Sequence, residues 1–429
     1  MTKKSLGAVL AGVASVALLL GGEAGAQPVG RASAVTAAHL SQINTLFRTN
    51  GILSGHAVLD RQGRVELQGQ FENEREVDRA FSLSQTVVGV RWVSPVTPAN
   101  IKVKAWEECL ARLLGGEQCG PAAGTLPPVG PGDETPPGPV ANKYALVVGV
   151  GRFQARIQTL QYANKDAYDI YSYLVDPGGG NFKRENVILL RDEYATRDAI
   201  VRALDAIQRR AQADDLVLLY FSSHGTPPDK YGGVHVVTYD SAVIPRERIW
   251  QTSLTEGILR DFIVKVQARR LIVILDACYS NGAYNQVAGF LPQGGKSLEA
   301  GWDEGYGRSP RDMTDRLLGA KDLALEPAAP VPGSPMSEAG PRGWGKVLIS
   351  ASNAGERSWE SDRLRNSIFT RYLIEGFRGY QGAVKEAFDY ATPLVRQQVK
   401  REKGPDIDQN PQIAANRPDW NMSVSVSGQ

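Results

Sequence analysis

Two stretches decide the fold: LVLLYFSSHG at residues 216–225 and LIVILDAC at residues 271–278. Each begins as a continuous apolar run and ends in polar residues, as expected for a strand that is buried on both faces of a sheet. Similar apolar runs occur at residues 144–149, 187–190 and 347–351, with helical patterns between them. Between the two stretches, residues 234–239 predict a short hairpin and residues 254–266 predict a helix. This alternation predicts an α/β fold, in which helices cover both faces of a mostly parallel sheet.

The ends of the two strands carry His224 and Cys278. Parallel strands bring their carboxyl ends to one edge of a sheet, where loops converge into binding sites. A thiol has a free pKa of about 8.5 and needs a base to become a thiolate, and an imidazole suits that task near neutral pH. If the strands are neighbours, the pair predicts nucleophilic catalysis. The alternatives are a buried, unreactive Cys278 and a His224 that only forms local hydrogen bonds.

Gly225 follows the histidine and has no side chain to obstruct its backbone N–H. Together with the N–H of Cys278, it would form an oxyanion hole with two donors. In enzymes, the removal of one such donor costs about 2.7 to 4 kcal/mol of transition-state stabilisation.

These motifs resemble those of the caspase and metacaspase clan, which also contains legumains and gingipains: a strand ending in His-Gly, then, about fifty residues later, a strand ending in acidic-small-Cys. Other segments are similar to bacterial members, namely residues 162–167, 239–240 and 350–352, with Glu356 and Phe369. The resemblance implies a caspase-like three-layer αβα sandwich at residues 142–415. It also implies a cysteine endopeptidase that acts on peptide or protein substrates.

Asp276 distinguishes this sequence from caspases, which carry Gln-Ala-Cys and cut after aspartate. Asp276-Ala277-Cys278 is similar to the metacaspase pattern, in which this aspartate and the one corresponding to Asp166 line a pocket for a basic side chain. The resemblance therefore implies cleavage after Arg or Lys. The alternatives are a turn-capping role for Asp276, an exposed helical Asp166, or a preference for Asn as in legumain-like relatives.

Residues 282–343 are rich in Gly, Pro and charge, and predict a long mobile insertion between the fourth and fifth main strands. The resemblance implies self-processing there, as in family members that mature into a large and a small fragment. A solvated, uncleaved insertion is the alternative. The basic residues available are Lys296, Arg308, Arg311, Arg316, Lys321 and Arg342.

Cofactor requirements are few. The resemblance to metacaspases makes calcium a candidate, although the chain has no dense acidic loop of the EF-hand kind. No metal site is predicted. The 48 basic and 46 acidic residues are scattered without a long basic run, so no nucleic-acid partner is expected.

The N-terminus has the pattern of a signal peptide over residues 1–26: Lys3 and Lys4, an apolar stretch, then Ala24-Gly25-Ala26 before Gln27. The apolar stretch is shorter than the roughly 20 residues of a spanning helix, so periplasmic or secreted protein is favoured over a membrane anchor.

Export bears on the cysteines, because disulfides persist in oxidising compartments. The chain has three cysteines, so they cannot all pair. Cys109 and Cys119 lie in one segment, and a Gly-Gly pair between them would let a short loop close. This pairing leaves Cys278 free.

Residues 35–108 predict a small α+β region with the order helix, two strands, helix, strand. This order, with Gly69 closing the hairpin and Val88-Gly89-Val90 before the last strand, resembles the BON domain of bacterial envelope proteins. The resemblance implies binding to phospholipid or an envelope surface; the alternative is an accessory domain without a ligand. Residues 120–141 are rich in Pro and Gly and predict a semi-rigid linker.

A second function therefore stays open. It is a binding protein whose caspase-like domain is catalytically idle and whose BON-like region localises it to the envelope. The intact pair of His224 and Cys278 argues against it.

Overall fold

The structure is a computed structural model that describes residues 35–89, 92–97, 99–104, 136–227, 229–231, 233–277, 343–352 and 356–426 of the 429. These residues all belong to one compact unit. The predicted signal peptide, Cys109, Cys119, Cys278 and nearly all of the predicted insertion lie outside them. Within the described residues, no helix combines the length and apolarity needed to cross a membrane.

The N-terminal region contains α1 (Ala37–Thr49), β1 (Gly55–Leu59), β2 (Val65–Phe71), α2 (Glu74–Val88) and β3 (Ile101–Val103). The predicted order of elements is confirmed. β1 pairs with β2 antiparallel, and β2 pairs with β3 parallel. Asn73 caps α2 by accepting the Glu76 N–H, as its position predicts.

A six-stranded sheet forms the centre of the second region, in the order β11-β8-β7-β6-β4-β5. Its strands are β4 (Lys143–Gly149), β5 (Val187–Arg191), β6 (Leu216–Ser222), β7 (Arg270–Asp276), β8 (Gly345–Ser350) and β11 (Gln412–Ala415). All adjacent pairs are parallel except β11 with β8. The mostly parallel sheet is therefore confirmed, with an antiparallel edge strand that the sequence analysis missed.

Helices cover both faces of this sheet, and successive strand residues point to opposite faces. Tyr220 and Ile272 pack on one face, with α3 (Ala163–Val175), α7 (Ile368–Gly379) and α8 (Val384–Lys403). Phe221 and Val273 pack on the other, with α4 (Arg197–Arg210) and α6 (Glu256–Lys265). The predicted three-layer sandwich is confirmed.

Of the two local predictions for the chain between β6 and β7, the hairpin is wrong, and the helix is confirmed with a later start. Residues 234–239 form no hairpin; Val236 makes isolated bridges to Gly225 and Leu254 instead. The helix predicted from residue 254 begins at Glu256, because Leu254 pairs with Val236 and Thr255 caps the helix. A short helix, α5 (Arg248–Thr252), precedes it, and a small hairpin, β9 (Glu360–Ser361) and β10 (Asn366–Ser367), precedes α7.

The two regions share a hydrophobic core. Val77 and Phe81 of α2 pack in one cluster with Val237, Ile249 and Trp250 of the second region. The rings of Phe81 and Trp250 meet edge to face, with centroids 6.1 Å apart. The N-terminal region therefore packs directly against the part of the chain that follows β6.

Candidate active site

The two strands that carry the predicted catalytic pair are neighbours. β6 and β7 run parallel, and Ser222 is in register with Asp276 at their carboxyl ends. His224 lies two residues beyond Ser222, and Cys278 lies two residues beyond Asp276 in the sequence. The adjacency that a dyad requires is therefore present, although Cys278 itself lies outside the described residues.

His224 is fully buried, and its ring is held on two sides. Its Nε2 lies 2.7 Å from the backbone carbonyl of Gln158. The Phe153 ring packs against the imidazole, with centroids 5.4 Å apart and planes tilted by 30°. Because a carbonyl only accepts, Nε2 carries the proton, and in the neutral imidazole Nδ1 is the basic nitrogen. The Gln158 carbonyl thus orients the histidine and selects its tautomer.

Gly225 lies opposite Val236 in an antiparallel bridge, immediately after His224. Flanking hydrogen bonds join the Val237 N–H to the His224 carbonyl (2.9 Å) and the Thr226 N–H to the His235 carbonyl (2.9 Å). The backbone around Gly225 is therefore fixed. Its role in an oxyanion hole stays a prediction, because the second donor belongs to Cys278.

Asp276 is fully buried at the end of β7. Its two carboxylate oxygens accept hydrogen bonds of 2.6 Å from the Ser358 and Thr370 hydroxyls. The Thr370 hydroxyl also contacts the Tyr220 hydroxyl at 2.6 Å. Both of these donors to Asp276, Ser358 and Thr370, are side chains from residues that follow β8 in the sequence. Burial and the nearby charges of Asp276 and Asp166 raise the pKa of Tyr220 well above its ordinary value.

Asp166 is also fully buried, so an exposed position on α3 is wrong. One carboxylate oxygen accepts from the Ser367 N–H (2.9 Å) and the Asn366 amide (3.0 Å). The other accepts from the Ser222 hydroxyl at 3.4 Å. Because Ser222 is in register with Asp276, β6 joins the two predicted pocket carboxylates at one end of the sheet.

Glu360 fixes the start of the helix that carries Asp166. Its carboxylate accepts the backbone N–H groups of Gln161 (2.8 Å), Tyr162 (2.7 Å) and Ala163 (3.1 Å). A carboxylate at a helix N-terminus is favoured by the free N–H groups and by the helix dipole. No local sequence pattern marks Glu360, Ser358, Thr370 or Gln158, since each acts over a long separation in the chain.

No metal centre is apparent in the parts of the chain that are described, where no group of three or more His, Cys, Asp or Glu side chains comes together. Calcium thus remains an expectation from the resemblance.

Comparison with known proteins agrees with this architecture. The family model of the caspase domain, peptidase C14, matches residues 142–420. Metacaspase-1 of Eremothecium gossypii is 27% identical over 150 residues, which are 33% of this chain and 32% of that protein. Metacaspase-4 of Arabidopsis thaliana is 26% identical over 186 residues, 42% of this chain and 43% of that protein.

These alignments span about a third to two fifths of the relatives' own length. Among solved structures, caspase-1 from Spodoptera frugiperda is similar over 66% of this chain and 90% of that chain, with a TM-score of 0.39 and 12% identity.

Proposed function

Since the chain belongs to the caspase-domain family of cysteine peptidases, we propose that it is an endopeptidase with His224 and Cys278 as its catalytic dyad. The observation that carries this proposal is the pairing of β6 with β7, which ends in the register of Ser222 with Asp276. Each dyad member follows one of these two paired residues by two positions.

The orientation of His224 supports the chemistry. With its Nε2 proton donated to the Gln158 carbonyl, the imidazole offers Nδ1 as the base for the thiol. The Cys278 thiolate attacks the peptide carbonyl carbon and forms the S–C bond. The imidazolium then gives its proton to the leaving amine as the C–N bond breaks. Water hydrolyses the thioester and returns the thiol.

The preference that we propose is for Arg or Lys before the cut. Asp166 and Asp276 support it, because both are buried and both adjoin Ser222. Among the groups that donate to these carboxylates are the neutral Ser358 and Thr370 hydroxyls and the Asn366 amide. A substrate guanidinium or ammonium would bring the opposite charge, which favours the ionised form of both carboxylates.

A panel of fluorogenic peptides that differ only in the residue before the cut tests both proposals. We expect the wild type to cleave the Arg and Lys peptides, and Cys278→Ala and His224→Ala to lose that activity. Asp276→Asn should lose cleavage of the Arg and Lys peptides. Asp198→Asn, on an exposed part of α4, is the control and should match the wild type. Assays with and without calcium reveal any dependence on that ion.

Other outcomes separate the alternatives. If only the Asn peptide is cleaved, the enzyme has a legumain-like preference and not a preference for basic residues. No turnover of any peptide, in either calcium condition, would favour the idle binding protein.

We also propose that the protein is exported and that its N-terminal region contacts phospholipid. The signal-like residues 1–26 support the first point, and the helix-strand-strand-helix-strand order supports the second. If the signal is removed, the measured mass of the mature protein should match a chain that begins at Gln27. Co-sedimentation of the protein with phospholipid vesicles tests the proposed phospholipid contact. Protein that stays in the supernatant would contradict it.

A further inference from the structure

The loop between β4 and α3 carries the carbonyl that orients His224. We call residues 151–160 the Gln158 loop. Its ends are joined by a hydrogen bond of 2.9 Å from the Leu160 N–H to the Gly151 carbonyl. A Cβ added at Gly151 would lie only 2.7 Å from the Leu160 carbonyl oxygen, so any side chain at this position would shift the joined ends of the loop, which we call its neck. The position of the Gln158 carbonyl therefore depends on the neck.

Asp192, just after β5, holds this neck from outside. One carboxylate oxygen accepts the backbone N–H groups of Gly151 (2.8 Å) and Arg152 (3.0 Å). The other accepts from the Asn164 amide at the start of α3 and from the Arg152 guanidinium, at 3.3 Å. One buried side chain thus ties together the beginning of the loop and the helix that follows it.

The backbone of Asp192 adds a second observation. Its φ is 45°, in the left-handed region that residues other than glycine seldom adopt, although Asp and Asn do so more often than most. Such strain persists only where the surroundings impose it, and it concentrates at functional sites. Burial alone raises the pKa of Asp192, but hydrogen bonds from Asn164, Arg152 and Gly151 outweigh it and hold the pKa below its ordinary value. The side chain is therefore a carboxylate at neutral pH.

We propose that Asp192 is a positioning residue for the catalytic histidine. It fixes the neck of the Gln158 loop, and the Gln158 carbonyl then holds the His224 ring with its proton on Nε2. This role rests on the proposed peptidase function, because it concerns the same imidazole.

Two substitutions at this position separate the anchor from the strain. Asp192→Gly removes the carboxylate, and glycine adopts a positive φ without penalty. Asp192→Asn keeps an acceptor for both backbone N–H groups, and asparagine tolerates the same backbone. Its amide N–H then faces Asn164, whose own side-chain amide can turn to present its oxygen, and the exposed Arg152 guanidinium can turn to solvent. Asp198→Asn, on the exposed surface of α4, is the matched control.

We expect Asp192→Gly to lower kcat on an Arg peptide by about 10- to 100-fold with KM nearly unchanged, since a misplaced catalytic group affects the chemical step. Asp192→Asn and the control should stay within about threefold of the wild type. If Asp192→Gly fails to fold, Gly151→Ala gives the same test by crowding the neck, and should show the same loss of kcat.

Nitrogen NMR of the imidazoles provides a readout that does not need turnover. The chain has only four histidines, and His224→Ala assigns the signal of interest. The wild type should show the Nε2–H tautomer, and Asp192→Gly a mixture of tautomers.

Each result has one meaning. A tautomer change without any peptide cleavage would support the positioning role while the peptidase function fails. Equal kcat and equal tautomer in Asp192→Gly and Asp192→Asn, or in Gly151→Ala and wild type, would overturn the proposal.

Discussion

Lys230 and Asp78 form a buried ion pair that joins the loop following His224 to helix α2 of the N-terminal region. Around it, the Val96 N–H donates to the Lys230 carbonyl at 2.9 Å, and Arg246 reaches the Ser82 carbonyl at 3.4 Å. Burial raises the pKa of Asp78 although the Lys230 ammonium favours its charged form. The N-terminal region thus supports the backbone that carries the candidate histidine.

Lys230→Met should destabilise the protein by about 3–5 kcal/mol, because it leaves the Asp78 carboxylate buried without its ammonium partner. Adding Asp78→Asn should recover part of this loss. Urea unfolding measures the stability of Lys230→Met, of Asp78→Asn and of the double variant. Lys385→Met breaks an exposed helical ion pair and should cost no more than about 0.5 kcal/mol. Strictly additive effects of the Lys230 and Asp78 changes would contradict the coupling.

Thr370→Val should weaken both folding and substrate binding. The valine has a similar shape but leaves the Asp276 carboxylate and the Tyr220 hydroxyl without the hydroxyl between them. We expect a loss of about 1–3 kcal/mol in the free energy of unfolding. We also expect a KM for an Arg peptide about tenfold higher, the equivalent of 1.4 kcal/mol. Thr45→Val, at an exposed position of α1, serves as the control. Equal KM values in Thr370→Val and Thr45→Val would count against the prediction.

The stability of the protein should rise with pH because of Lys143. Burial lowers the pKa of this lysine from 10.5 to about 8 in the folded protein. Below pH 8 both states carry the proton, and folding bears the full cost of the buried charge. Between pH 8 and 10.5 the unfolded state binds more protons, so the free energy of unfolding increases, by about 3 kcal/mol in total.

Unfolding curves of wild type and Lys143→Met across this range isolate the effect. The difference in stability should change in favour of the wild type as pH rises. The exposed Lys183→Met should follow the wild type at every pH. Parallel curves for wild type and Lys143→Met would refute the prediction.

Self-processing should depend on Cys278. We expect purified wild type to give two fragment masses that together account for the mature chain, with a cut after one of the basic residues of 282–343. Cys278→Ala should keep a single mass under the same conditions. Identical unprocessed masses, with and without calcium, would exclude self-cleavage.

The three cysteines allow a count of thiols. If Cys109 and Cys119 pair, the denatured, unreduced protein should contain one titratable thiol, and Cys278→Ala none. Reduction should raise the wild-type count to three. Three thiols before reduction would contradict the disulfide.

The sequence predicts the main strands well because burial on both faces leaves a continuous apolar run, as at Phe221 and Val273. It misses β11 at the edge of the sheet, where three of the four residues are only half buried. It also misreads Val236, since single bridges to Gly225 and Leu254 impose no repeating pattern.

The residues of the candidate site also fall into those that a local sequence pattern marks and those that it does not. His224 and Asp276 are found because they end apolar strands, so local sequence gives their position. Gln158 contributes only its carbonyl, which every residue type has. Asp192 and Thr370 matter through contacts with distant parts of the chain, and no local pattern encodes such a contact.

The pairing of β7 with β8 has a consequence for a chain that is cut between them. Arg270 to Leu275 remain hydrogen-bonded to Gly345 to Ser350 whether or not the intervening peptide is continuous. A cleaved molecule would then be a two-chain protein whose chains are held together by these hydrogen bonds at the centre of the sheet. Neither half would hold a complete pocket, since Asp276 comes from one and its Ser358 and Thr370 donors come from the other.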